Sequence, residues 1–173
     1  MEDKQRKHTA PSLRQQVEQA YEDARDDIYY YLLSMGVDSA ESQDLTQETF
    51  LRLYVALRDG DDIRSVRGWV FRVAHNFGLK SREKRGRLQA MDPDFESFPS
   101  AADNPEKSVI ESERRANLDS AIRELSPQQR QCLHLRAEGL RYHEIADAIG
   151  ISISSVAVFL RRAVSKLRKV ADE

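Results

Sequence analysis

Apolar residues recur at three- and four-residue intervals along almost the whole chain, and the period breaks in one place. Val17, Ala20, Tyr21, Ala24 and Ile28 follow it, and Tyr29 to Leu33 extend the run. Phe50, Leu53, Tyr54 and Leu57 follow it, as do Val70, Val73, Ala74 and Phe77, and later Val156, Leu160, Ala163 and Leu167. This is the spacing of helices with one face against a core. Seven glycines and five prolines in 173 residues leave little turn material for an all-β alternative. The expected fold is therefore all-α. The break comes after Arg87, where LQAMDPDFESFPSAADNPEKS carries Pro93, Pro99 and Pro105, several acids and no helical period. So long a structureless stretch reads as a flexible linker, residues 89–108, joining two small helical domains at 12–88 and 109–173.

Local signals place the helix ends. Gly36 stops the first helix, and Asp38 with Glu41 three residues on forms a capping box for the second, which runs to about Arg58. RDGDDIRSVR, with Gly60 at its bend, is a polar loop leading into a third helix. Beyond the linker the chain turns helical from Val109. Ser126-Pro127-Gln128-Gln129 combines an N-cap serine, proline at the first helical position and a box-closing glutamine, and Gly139 ends that helix. Ile145, Ala146 and Ile149 then mark the inner face of a short helix, Gly150 the turn after it, and Ser152 the cap of a longer one.

Charge is segregated more than the net value of −2 suggests. Between Glu18 and Glu48 lie Glu22, Asp23, Asp26, Asp27, Asp38, Glu41 and Asp44 against Arg25 alone. From Arg67 to Arg87 the cations Arg72, Lys80, Arg82, Lys84 and Arg85 meet only Glu83, and Arg161, Arg162, Lys166, Arg168 and Lys169 form a second basic run. Two separated basic stripes point to a polyanion touched at two places. No apolar run approaches the ~18 residues of a membrane span, so no membrane insertion is expected. Cys132 is the only cysteine, which excludes an internal disulfide and suits a reducing cytoplasm. Cys132, His134, His75 and His143 lack paired metal-ligand spacing, and the chain has no phosphate loop or nucleophile elbow. No catalytic residue, metal or cofactor is expected.

Two stretches carry chemistry. GWVFRVAHNFGLKSREKRGR interleaves aromatics and cations, with Arg72, Asn76 and Lys80 in one row on a helix face. Near the C-terminus, Ala146, Gly150 and Val156 have the spacing of a helix-turn-helix: a small residue for close approach, a turn glycine, and an apolar anchor for the second helix. Its groove-facing residues would be Ser154, Ser155, Ala157, Val158 and Arg161, with Arg162 and Lys166 toward phosphates. Arg161 suits bidentate reading of guanine, and Ala157 and Val158 suit thymine methyls. Phe159, expected to be exposed, suits a partner's pocket.

DLTQETFLRLY, then RGWVFRVAHN and a basic tail, resembles domain two of bacterial sigma factors; LSPQQRQCLHLRAEGLRYHEIADAIGISISSVAVFLRRAVSKLRK resembles their domain four. With no recognisable domain three between them, the resemblance is to the extracytoplasmic-function (ECF) group, and it covers nearly everything after about residue 15. It implies a factor that joins core RNA polymerase, selects promoters and opens the strands, leaving catalysis to the polymerase. Asp44, Gln47, Glu48 and Leu51 would meet the clamp helices of the largest subunit, with Phe50 and Tyr54 behind them as core. The second domain would meet the flap of the second-largest subunit. Asp62, Ile63, Arg64 and Ser65 would form the pocket loop for a flipped −10 base. Arg67, Arg72, Lys80, Arg82 and Arg85 would hold phosphates, Trp69 or Phe71 would stack on bases, and Asn76 would read a base edge. Arg141 and the groove-facing set would meet the −35 element, Asp92, Asp94 and Glu96 would imitate nucleic-acid charge in the polymerase cleft, and an anti-sigma protein would be a further partner. Tyr21, Tyr29, Tyr30 and Tyr31 would pack within domain two.

The chain departs from the family in two places. Lys80 stands where relatives often have an acid. The recognition helix reads Ser155-Val156-Ala157-Val158-Phe159 where Thr-Val-Lys-Ser-Arg is usual, two cations short, so a weak −35 contribution with a shallow salt dependence is expected. The alternative is a one-component or LuxR-type regulator that never joins the polymerase; it would need a sensor or receiver domain upstream.

Overall fold

The computed structural model describes residues 11–91 and 117–171, which are helical with no strand among them. The first half holds α1 (Leu13–Ser34), α2 (Ser39–Arg58) and α3 (Val66–Met91). The second holds α4, described over 117–123, then α5 (Pro127–Ala137), α6 (Tyr142–Ile149) and α7 (Ile153–Ala171). The expected helix start near Val109 and the acids Asp92, Asp94 and Glu96 lie outside the described residues. Helix α3 continues to Met91, through the first three residues of the expected linker. Among the described residues no single helix is long and apolar enough to cross a membrane.

The end signals work as the sequence indicates, with one difference. Ser126 closes its full capping box with Gln129, and Ser12, which the sequence reading did not single out, closes another with Gln15. Asp38 caps α2 by accepting from the Glu41 N–H at 2.9 Å. The Glu41 carboxylate, however, accepts from the Ser81 hydroxyl on α3 at 2.8 Å, and not from the cap backbone. Arg85 donates to the Gly36 carbonyl and pairs with Asp38 at 3.3 Å. A charge-assisted contact across helices has taken the carboxylate that the local motif would use, and it straps the end of α3 to the α1–α2 turn.

In the first half α1, α2 and α3 all pack on one another; Tyr21 meets Phe50 edge-on with ring centroids 5.1 Å apart. Tyr31 is fully buried at the centre. Its ring stands edge-on to Phe71 of α3 at 5.5 Å and to His134 of α5 at 5.2 Å. One apolar cluster runs from Ile28, Tyr31, Leu32, Val70 and Phe71 into Cys132, Leu135, Leu140 and Ile145. The two helical units therefore share a core. Tyr30, expected inside, lies 60% exposed because it falls between the buried rows of α1.

The Tyr31 hydroxyl lies 2.9 Å from His75 Nδ1. Burial holds the phenol far above its ordinary range, so it keeps its proton and donates to a neutral imidazole. Burial, followed by the nearby Arg82 charge, lowers His75 to about 4 from its ordinary 6.5. Between those values the unfolded chain takes up a proton that the native state refuses, so stability falls as pH falls. Urea unfolding should show a loss of about 3 kcal/mol from neutral pH down to the native value, and His75→Gln should flatten that slope.

Candidate nucleic-acid interface

Helix α2 presents Asp44, Gln47, Glu48 and Leu51 along one outward stripe, spaced three, one and three residues apart. Leu51 is 62% exposed among acids, while Phe50 and Leu53 hold the opposite face in the core. Tyr54, expected behind the stripe, is 41% exposed and extends it with Val55. The helical angle that buries Phe50 and Leu53 carries residue 54 outward. Glu48 pairs with Arg52 at 3.2 Å on the same helix.

Helix α3 divides its aromatics: Phe71 is fully buried, and Trp69 is half-buried against the core. Arg72, Asn76 and Lys80 form an exposed row, with Arg82 also exposed. Asp62, Ile63, Arg64 and Ser65 join Gly68, Trp69 and Arg72 around a cavity of about 280 Å³. Ser65 caps α3: its side-chain oxygen accepts from the Gly68 N–H at 3.1 Å. Arg67 and Arg85 point elsewhere. Arg85 belongs to the strap at the α1–α2 turn, and Arg67 is half-buried between two carboxylates, Asp27 at 2.6 Å and Glu138 at 3.1 Å.

The far wall of that cavity comes from the second half, as His143, Glu144 and Asp147 of α6. Glu144 accepts from the Ser65 hydroxyl at 2.5 Å and from the Arg141 N–H at 2.7 Å. Burial acts to raise its carboxyl, but those two hydrogen bonds and the charges of His143 and Arg141 bring it below its ordinary value. Glu138, beside Asp27, is raised by burial and by that like charge, with Arg67 opposing. Glu138 is placed by the turn after α5. There Gly139, at φ +85°, lets the Leu140 N–H reach the Leu135 carbonyl at 3.1 Å. Sequence reasoning missed Asp27, Gly68, Glu138, His143, Glu144 and Asp147. Only Glu144 had a local signal, its place three residues after the α6 cap, and that signal does not reveal its contact with Ser65.

In the helix-turn-helix, Gly150 turns at φ +72° and Ser152 caps α7 by accepting from the Ser155 N–H at 3.1 Å. Val156, Leu160 and Ala163 are buried as the spacing requires. Arg141, Ser154, Ala157, Arg161 and Arg162 are exposed, and Ser155 and Val158 are partly so. Lys166 pairs with Glu124 at 2.9 Å and lines a shallow groove with Arg161 and Arg162. Phe159 is not exposed as expected: it is half-buried against the core, since the helical turn that seats Val156 also draws residue 159 inward.

Sigma-70 region 2 matches residues 20–88, and Sigma-70, region 4 matches residues 115–167. The chain is 30% identical to ECF RNA polymerase sigma factor SigE of Mycolicibacterium smegmatis, over 83% of this chain and 56% of that protein. It is 31% identical to ECF RNA polymerase sigma factor BldN of Streptomyces coelicolor, over 88% and 59%, and 29% identical to SigM of Bacillus subtilis, over 88% and 93%. It therefore spans somewhat over half the length of the first two relatives and nearly all of the third. The fold resembles that of the sigma factor RpoE solved with the anti-sigma factor NepR from Bartonella quintana, with a TM-score of 0.70 and 20% identity over 91% of this chain and 97% of that one. CnrH, solved with the cytosolic domain of CnrY, gives a TM-score of 0.61 at 22% identity over 92% and 89%.

Proposed function

The chain belongs to the ECF group of the sigma-70 family, and on that premise we propose that it binds core RNA polymerase and directs promoter recognition and strand opening. The observation that carries the proposal is the pairing, in one chain, of the acidic α2 stripe around exposed Leu51 with the basic α3 row beside the 62–65 loop. Acids flanking an apolar residue suit the basic clamp helices of the largest subunit. Arg72, Asn76, Lys80 and Arg82 supply cations and an amide for a separated strand, and half-buried Trp69 supplies a flat ring beside the loop pocket. Outward residues of α7 are assigned to the −35 element, and the second half to the flap of the second-largest subunit. The factor works in the cytoplasm with no cofactor, and the bond-making chemistry belongs to the polymerase.

An anti-sigma protein is a further proposed partner, because the structural neighbour RpoE was solved with the anti-sigma factor NepR. A regulator that never joins the polymerase is the weaker reading, since Sigma-70 region 2 accounts for the first half. The test adds purified chain to the host's core polymerase and a genomic library, and maps strand opening by reactivity of unpaired thymines. Opened sites that appear only with both components present are the expected result. Association with core at low salt but no opening anywhere would leave α3 without its assigned role.

A further inference from the structure

Opening a duplex takes more than cations and a pocket. A base pair at the edge of the opened tract loses its stacking neighbour, and an apolar side chain inserted there replaces the lost contact. The aromatic rings of α3 are not placed for that. Phe71 is fully buried, Phe77 lies under the Arg52 guanidinium at 4.8 Å, and Trp69 is half-buried beside the loop pocket. Leu79 is so placed. It is 45% exposed, two helical turns beyond Arg72 and three residues beyond Asn76, on the same outward face. Leu88, the other exposed large apolar residue among the described residues of α3, lies nine residues on and therefore on the opposite side of the helix.

The packing of α3 within the first half holds Leu79 outward. Gly78 lies so close to α1 that a Cβ there would be 2.7 Å from Met35 Sδ, and Ser81 donates to Glu41 of α2. With residues 78 and 81 turned inward, residue 79 stands clear. Its surroundings are cationic. Arg72, Lys80 and Arg82 are exposed around it, and the acid beside them, Glu83, is paired with Arg87 at 3.8 Å. A bare leucine bordered by cations suits a polyanion with an apolar interior, which is what a base stack between two phosphate chains presents. Trp69 and Leu79 are ten residues apart, about 15 Å along the axis, or the length of four or five stacked bases.

We propose that Leu79 is the wedge of strand opening: it enters the base stack at one end of the opened tract, while the 62–65 loop and Trp69 hold a base at the other. The assignment rests on the strand-binding role given to α3 above. A leucine makes no hydrogen bond to a base edge, so Leu79 acts on how readily a promoter opens and not on which promoter is chosen.

The test compares full-length variants in complex with core polymerase on a promoter recovered by the opening map. That promoter is presented as a paired duplex and as the same sequence with its −10 tract left mismatched. Leu79→Ala should open the duplex at least about tenfold more slowly than the native chain, read by the reactivity of unpaired thymines. On the mismatched template, where no stack remains to be broken, its affinity should stay within about twofold of native. Leu79→Met keeps an apolar chain of similar reach and should restore most of the opening rate. Leu79→Lys adds a phosphate contact, so it should bind the mismatched template at least as tightly as the native chain, yet open the duplex as slowly as the alanine variant. A duplex opening rate unchanged by alanine overturns the proposal. So does an equal loss on both templates, which would make Leu79 a plain strand or folding contact. If the native chain opens no duplex at all, the strand-opening reading of α3 fails and the wedge with it, a result distinct from a defect confined to the variants.

Discussion

Leu51→Arg should weaken association with core RNA polymerase about a hundredfold, equivalent to roughly 3 kcal/mol. Leu51 is the apolar centre of the α2 stripe and is 62% exposed in the free chain, so it contributes little to the fold. A partner helix covering the stripe would desolvate it among Asp44, Gln47 and Glu48. An arginine there removes the leucine's apolar surface and sets a cation against a basic partner, and burying an unpaired charge costs more than forgoing that apolar burial. Titration of labelled chain against core polymerase measures the effect. The melting temperature of the free variant should stay within a degree or two, because exposed substitutions of this kind shift stability by about 0.5 kcal/mol or less. Unchanged affinity with an unchanged fold would move the polymerase contact off α2.

Tyr31→Ala should cost about 4 kcal/mol of unfolding free energy, the scale for truncating a fully buried aromatic. Tyr31 is the largest fully buried side chain among the described residues, and it touches α3 through Phe71 and His75 and the second half through His134. Truncation opens a cavity where both halves meet and leaves His75 Nδ1 without its donor. Against a typical stability of about 5–15 kcal/mol, that loss puts the variant near the edge of folding. Tyr31→Phe keeps the ring and removes only the hydroxyl, so about 1–2 kcal/mol is expected. Urea midpoints for the two variants separate packing from hydrogen bonding. Equal small losses in both would show that the ring is not central to the core.

Much of the molecule is legible in its residues alone, and the reason is local. Asp38, Ser126 and Ser152 each cap a helix because a short side-chain oxygen reaches N–H groups two or three residues on. Buried Val70, Ala74, Val156 and Leu160 follow from a period set by the backbone itself. The same period put Arg72, Asn76 and Lys80 outside together. Periodicity failed where a residue fell between two faces. Tyr54 and Phe159 both carry apolar rings, and only the packing angle of their helices sent one outward and the other inward.

Helix boundaries, the helix-turn-helix and the two-part helical organisation were thus written into the order of residues, because each depends on neighbours within about one or two turns. The partners of Arg67, Ser65 and Glu41 were not. Each is polar, able to face water or any of several counter-charges, and its choice among Asp27, Glu138, Glu144 and Ser81 depends on which helices lie side by side. Spacing assigned Tyr31 and Leu135 to separate domains; the tertiary structure put them in one core. It thereby covered the start of α3 and left the α2 stripe bare, because pairings across more than seventy residues leave no trace in a local period.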